Sequence, residues 1–252
     1  MTRPPLIIRN RPSPNFEARA AGISVKILLL HYTGMDSAEA ACARLCDGHA
    51  KVSSHYLVDE AGMITRLVPE DKRAWHAGVS SWRGETDINS LSIGIEIHNP
   101  GHELGYPPFP DAQMKAVIAL CQDILSRHQI APAGVLAHSD VAPGRKIDPG
   151  EKFDWARLHA AGIGHWVAPE PITAGPSLRL GDKGDGVLAL QRALAAYGYG
   201  LDQTGCFDQR TMDVVAAFQR HFRPERVDGV ADVSTIETLR RLNDALPAGG
   251  SL

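Results

Sequence analysis

Val25-Lys26-Ile27-Leu28-Leu29-Leu30-His31-Tyr32-Thr33-Gly34 begins β-branched, stays apolar apart from Lys26, and stops at Thr-Gly. A run this short reads as a buried strand from Val25 to Leu30. It delivers an imidazole, His31, at its end, where a side chain points into a site rather than into the core. Downstream, Ser37 to Cys46 reads as an Ala-rich helix. Ser54 to Val58 and Met63 to Val68 read as a hairpin around Asp59-Glu60-Ala61-Gly62.

Leu91-Ser92-Ile93-Gly94-Ile95-Glu96-Ile97 alternates strictly. Leu91, Ile93, Ile95 and Ile97 share one face, while Ser92, Gly94 and Glu96 share the other. Asp111 to His128 has helical spacing in Met114, Val117, Ile118, Cys121, Ile124 and Leu125, and Val135-Leu136-Ala137 is a short strand that delivers His138. The alternation of helices and strands predicts an α/β domain, a mixed β-sheet flanked by helices.

The chemistry gathers in Ala137-His138-Ser139-Asp140-Val141-Ala142-Pro143-Gly144-Arg145-Lys146-Ile147-Asp148-Pro149-Gly150. Asp148 follows His138 by ten residues, in a loop that its prolines and glycines can bend back on itself. Two imidazoles and one carboxylate, His31, His138 and Asp148, leave one position of a tetrahedral zinc open, the arrangement a hydrolytic site needs. Attack on an unactivated amide also needs a base and a cation for the carbonyl oxygen. Glu96, facing away from the isoleucines, and Lys146, two residues before Asp148, have the right chemistry. The competing reading makes Asp148 a helix cap, Glu96 an exposed carboxylate and Lys146 a solvated loop charge. Trp75-His76-Ala77-Gly78 and Ser81-Trp82 form a loop suited to wall a cleft or to enter the core, and His55 and Tyr56 start the hairpin beside it.

Size and composition set the frame. At 252 residues the chain exceeds one usual domain. The irregular stretch 168–177, with Pro169, Pro171 and Pro176, divides a domain at 1–167 from a second at 178–252. In the latter, Val187, Leu190, Leu194 and Tyr197 mark one amphipathic helix, Met212, Val215, Ala216 and Phe218 a second, and Ile236, Leu239 and Leu242 a third. A weak repeat, Gly205-x-x-Asp208-x-x-Thr211 and Gly229-x-x-Asp232-x-x-Thr235, places an Asp to cap each of the last two helices. A net charge of −3 without a Lys/Arg cluster argues against nucleic acid. Four scattered cysteines read as free thiols. No membrane span or secretory apolar segment is visible, so a cytoplasmic location is expected, with periplasm or cell envelope as the alternative.

These residues resemble a family, the zinc-dependent type 2 N-acetylmuramoyl-L-alanine amidases. The resemblance runs through Leu30-His31-Tyr32-Thr33, Ser53-Ser54-His55-Tyr56, Trp75-His76-Ala77-Gly78, Asn89 to Glu96, and His138 to Gly150. The tail resembles the three-helix peptidoglycan-binding domain through Gly186-Val187, Leu190-Gln191, Gly198-Tyr199, Gly205 to Asp208, Phe218-Gln219 and Asp228-Gly229. The resemblance implies zinc on His31, His138 and Asp148, Glu96 as the catalytic glutamate and Lys146 as the oxyanion-stabilising lysine. It further implies cleavage of the amide between the lactyl group of N-acetylmuramic acid and L-alanine of the stem peptide. Tyr32, His55, Trp75, His76 and Asn99 are the candidate substrate contacts, with Asn99 to Pro110 shaping the muramic end of the cleft. Muropeptides or peptidoglycan are the expected partners, and recycling of anhydro-muropeptides the expected setting. Action on intact sacculi and a non-catalytic muropeptide receptor are the alternatives. A peptidase cutting inside the stem peptide is a further rival, but no H-E-x-x-H occurs. A tail that serves only to hold polymer leaves hydrolysis of small muropeptides intact when residues beyond Ser177 are removed.

Overall fold

The structure, a computed structural model, describes residues 6–246; the outermost parts of the two expected domains, 1–5 and 247–252, lie outside the described residues. The elements in order are β1 (Ile8–Asn10), β2 (Phe16–Ala18), β3 (Ile27–Tyr32), α1 (Ala38–Leu45), β4 (Tyr56–Val58), β5 (Ile64–Arg66), β6 (Lys72–Ala74), α2 (Ile88–Leu91), β7 (Ser92–Ile97), α3 (Asp111–Arg127), β8 (Val135–Ala137), α4 (His138–Val141), α5 (Trp155–Ala160), α6 (Asp185–Tyr197), α7 (Gln209–Phe222) and α8 (Val233–Asp244). Six strands form one sheet in the order β1-β5-β4-β7-β3-β8, mixed because β4 and β5 are antiparallel while the other pairs are parallel. β2 and β6 make a separate antiparallel pair.

Pairing carries β3 two residues beyond the expected strand. Its parallel ladder with β7 continues through His31↔Glu96 and Tyr32↔Ile97, so His31 lies within the strand. At the other end Leu91 closes the short helix α2 instead of opening β7, because the Asp87 side chain accepts from Ser90 N–H and caps that turn. Period-two alternation then sorts the sheet into two faces. Leu28, Leu30, Ile93, Ile95 and Ile97 pack with Met114, Val117, Cys121 and Ile124 of α3. Ile27 and Leu29 face the opposite way, the side to which His31 and Glu96 also belong.

That second face belongs to a buried cluster that continues into the C-terminal helices. Ile27, Leu29 and Leu136 share one buried cluster with Val187, Leu194, Val214, Phe218, Phe222 and Leu239. Trp82 is fully buried in the same cluster, with its ring edge-on to Tyr197 at 6.0 Å and Tyr199 at 5.0 Å, so it takes the core place rather than a cleft wall. Within the bundle the sequence repeat has a structural counterpart. Asp208 accepts from Thr211 N–H and Asp232 from Thr235 N–H, capping α7 and α8. The Gln191 amide bridges Gly205 N–H and Thr211 Oγ1, and Gln219 bridges Gly229 N–H and Thr235 Oγ1 in the same way.

The shared core predicts, against the expectation of a dispensable tail, that the bundle is needed for folding. Truncation after Ser177 strips Tyr197 and Tyr199 from Trp82 and removes Val187, Leu194, Val214, Phe218, Phe222 and Leu239 from the cluster, and burying apolar side chains of this size stabilises by about 1.5–3 kcal/mol each. The truncated chain is therefore expected to be insoluble or to lose its cooperative melting transition. A soluble truncated chain with the parent melting temperature would show that the bundle contributes nothing to the sheet.

Candidate active site

β3, β7 and β8 run parallel and end at the same edge, the location at which open α/β sheets place ligands. His31 is near the end of β3, Glu96 sits beside it on β7, and Ala137 pairs with Leu30, so His138 follows at the level of His31. Asp148 is brought in by the loop, whose ends meet where Ser139 N–H donates to the Asp148 carbonyl at 3.0 Å.

The three side chains converge tightly and are all buried. His31 Nδ1 lies 2.9 Å from His138 Nδ1, His138 Nδ1 lies 3.0 Å from Asp148 Oδ2, and His31 Nδ1 lies 3.2 Å from the same oxygen. Acceptor-only partners fix where the ring protons are. His138 Nε2 donates to the Ala77 carbonyl at 3.0 Å, which leaves Nδ1 as a bare lone pair. Ser92 Oγ donates to the Ile88 carbonyl at 2.6 Å and so accepts from His76 Nε2 at 3.3 Å. His76 Nδ1 is then an acceptor for His31 Nε2–H at 3.0 Å, and His31 Nδ1 is bare as well. Two imidazole lone pairs and a carboxylate oxygen thus point at one another. They repel unless a cation stands between them, and their spacing approaches the roughly 3.3 Å edge of a tetrahedron with zinc–ligand distances of about 2.0–2.1 Å.

The electrostatics agree. Burial pushes His31 down to about 4, with His138 adding to the effect and Asp148 opposing it, so the ring is neutral near pH 7. Burial acts to raise Asp148, and a positive charge in the place of the ring protons, on an imidazole or on a bound cation, is what holds this carboxyl below its usual range. Glu96 goes the other way: burial first, then the Asp148 charge, raise it well above 4.5 against the pull of Lys146. Its Oε2 is buried with no hydrogen-bond partner among the described residues.

Glu96, Lys146, His138 and Asp148 line a cleft of about 740 Å³, together with Tyr32, Trp75, His76, Arg145 and the segment from Pro100 to Glu103. Of the expected substrate contacts, Tyr32, Trp75 and His76 reach this cleft, and His76 does so with both ring nitrogens already engaged. His55 and Asn99 do not reach it. His55 is fully buried, accepting from Gly94 N–H and donating to the Lys72 carbonyl. Asn99 is buried and spends its amide on Pro107 O and Gly101 N–H, shaping the loop rather than presenting a contact. Sequence reading missed Arg145, which donates to the Ala77 and Val79 carbonyls, and the pair His102–Glu151, which holds the Tyr32 hydroxyl. Nothing in their local spacing marks them; only the folded loops bring them there. Gly94 is a similar case, since a Cβ there would stand 2.6 Å from the His76 ring.

Residues 21–151 match the family model described as N-acetylmuramoyl-L-alanine amidase. The chain belongs to that family. Residues 183–239 match the model of a peptidoglycan binding domain. Among relatives, N-acetylmuramoyl-L-alanine amidase AmiD of Escherichia coli K12 is 40% identical over 233 residues, covering 87% of this chain and 82% of AmiD. The structure of E. coli AmiD in complex with the substrate anhydro-N-acetylmuramic acid-L-Ala-D-gamma-Glu-L-Lys has a TM-score of 0.76 at 38% identity, covering 90% of this chain and 92% of that one. AmpDh3 from Pseudomonas aeruginosa in complex with anhydromuramic pentapeptide has a TM-score of 0.74 at 33% identity, covering 93% and 95%. The mixed sheet flanked by helices, with its helical C-terminal region, is the fold these amidases share with this chain.

Removal of the His76 ring frees His31 to rotate and to move its proton to Nδ1. His76→Ala is therefore expected to weaken zinc binding by about 10- to 100-fold, the range for an outer partner of a ligating histidine. Competition against a chromophoric chelator measures it, and parent-like affinity would show that the chain through Ser92 does not matter. Burial also pulls His55 down to about 4 from 6.5. Between those values the unfolded chain holds a proton that the folded chain refuses. The stability present above pH 6.5 thus falls as pH drops through this window, by up to about 1.4 kcal/mol per unit. Urea midpoints of metal-free protein at pH 7.5 and pH 5 are expected to differ more for the parent than for His55→Gln; equal shifts in the two would contradict a buried neutral ring.

Proposed function

We propose that this chain hydrolyses the amide between the lactyl group of N-acetylmuramic acid, in its anhydro form, and L-alanine of the stem peptide, using a zinc ion held by His31, His138 and Asp148. The carrying observation is the meeting of three buried lone pairs beside the unpartnered Oε2 of Glu96 on one cleft. The two similar structures that hold anhydro-muropeptides support the substrate class.

Zinc at this site supplies a Lewis acid that acidifies water and polarises the scissile carbonyl. The chain's own residues do the rest. Glu96 takes a proton from the attacking water as the water oxygen bonds to the carbonyl carbon. The same carboxyl then gives the proton to the L-alanine nitrogen as the C–N bond breaks, leaving a lactyl carboxylic acid and an amine, which settle as carboxylate and ammonium when the acid's proton passes to the amine. A carboxyl raised by burial suits both halves of this task, since it holds the proton between them. The Lys146 ammonium is assigned to the carbonyl oxygen, where negative charge develops. Tyr32 and Trp75 are assigned to the substrate's sugar and peptide, and His76 to the metal ligand behind them.

In the proposed organisation residues 1–167 carry the chemistry, 168–177 connect, and 178–252 form the helical domain. The proposed setting is turnover of released anhydro-muropeptides in the cytoplasm; among the described residues no helix is long and apolar enough to cross a membrane. A second reading, action on intact wall, is favoured by the match over residues 183–239 and by a 250 Å³ apolar groove between Pro176, Leu178, Val233 and Ile236. Parallel assays on an anhydro-muropeptide and on intact sacculi, with fractionation of the cell, separate the two. A receptor without catalysis is set apart by release of stem peptide from a muropeptide with and without chelator.

Glu96→Gln is expected to keep zinc and lose about 10² or more in kcat. Retained turnover in Glu96→Gln would assign the proton transfer to another group.

A further inference from the structure

The loop that carries two of the three metal ligands is held from outside, by the C-terminal bundle. Its helical part, α4, is a single turn, too short to sustain itself, yet a metal centre needs its ligands fixed to about 0.5 Å. Asp140, two residues after His138, is fully buried. Its Oδ2 accepts from Ala137 N–H at 2.8 Å and from His221 Nδ1 at 2.7 Å, and its Oδ1 accepts from the Tyr199 hydroxyl at 2.7 Å. Two of these three donors belong to the bundle. The His221 ring is itself fixed, stacked between Trp155 at 3.7 Å and Phe222 at 3.8 Å.

Further along the loop, Arg210 of α7 donates to the Pro143 carbonyl at 3.0 Å while its other donors grip Gly200 O. Gly144, at φ +79°, lies so close to the Asp213 carboxylate that a Cβ would overlap it. A buried carboxylate stripped of donors is costly, so Asp140 stays where Tyr199 and His221 hold it. The distance between His138 and Asp148 is thereby tied to residues 51 to 83 positions further on in the sequence.

We propose that Tyr199, His221 and Arg210 are positioning residues of the metal centre, and that the bundle builds the hydrolytic site as well as covering the sheet. The proposal rests on the reading of His31, His138 and Asp148 as a zinc site. It adds to the polymer-binding description of this domain an intramolecular role that acts through the 138–148 loop.

The test uses the full chain with zinc and with cobalt(II) as a spectroscopic stand-in. His221→Phe keeps the stack and removes the donor to Asp140, Tyr199→Phe removes the second donor, and Arg210→Met releases Pro143. Each is expected to weaken zinc binding by about 10- to 100-fold, the scale of an outer-shell change, and to alter the visible bands of the cobalt form. His221→Asn, whose Nδ2 falls where the ring Nδ1 lies, is expected to recover much of the affinity. Val117→Ala, which loosens the opposite core layer, serves as a control expected to lower the melting temperature and leave both metal readouts unchanged. Parent-like zinc affinity and cobalt spectra in all three variants would overturn the proposal, as would an equal effect in Val117→Ala. Should His221→Phe fail to fold, Tyr199→Phe and Arg210→Met decide it. A parent chain that binds no zinc would instead overturn the metal reading beneath it.

Discussion

Three electron pairs that repel each other are forced together at the edge of a sheet, and much of the local architecture exists to keep them there. Neither imidazole chooses its own tautomer: one is set by the Ala77 carbonyl, the other by the Ile88 carbonyl acting through Ser92 and His76. Main-chain carbonyls cannot donate, so these chains of hydrogen bonds have one polarity only. The same constraint explains the glycine on β7, because His76 occupies the space a side chain there would take. It also explains why Arg145 grips Ala77, fixing the carbonyl that orients His138.

The sheet supplies the second condition. His31 and Glu96 are neighbours across a parallel ladder and therefore share a face, with no need for a loop to bring the proposed base and the proposed ligand together. Asp148 and Lys146 arrive by loop, and His138 stands at the start of that loop, in the single turn α4. The strands thus set the separation of Glu96 and His31, while the loop from His138 to Asp148 meets buried contacts from elements distant in sequence.

Much of this was legible from residue order. Alternation over Leu91 to Ile97 told which way Glu96 points, and strand ends bearing histidines told where to look for a ligand set. Asp208 and Asp232 announced two helix starts through spacing alone, and both cap as read. What periodicity does not carry is the identity of the covering layer. Ile27 and Leu29 are plainly buried on sequence grounds, yet nothing in β3 says that their cluster extends to Phe218 and Leu239. For the same reason Trp82 read as either wall or core, and the fold makes it core. His55 and Asn99 looked available because polar residues near a site motif resemble contacts; in the fold their polar atoms are consumed by backbone groups that lack other partners.

One part of the bundle answers to the residues before it in the chain and another does not. Substitutions that alter Tyr197, Tyr199 or His221 must be matched at Trp82, Asp140 and Trp155, whereas Val233 and Ile236, at 37% and 39% exposure on the groove beside Pro176, have no such obligation. Descendants of this chain are therefore free to retune what the groove touches without disturbing hydrolysis, but cannot exchange the whole module for a foreign one: its inner half is inherited with the sheet.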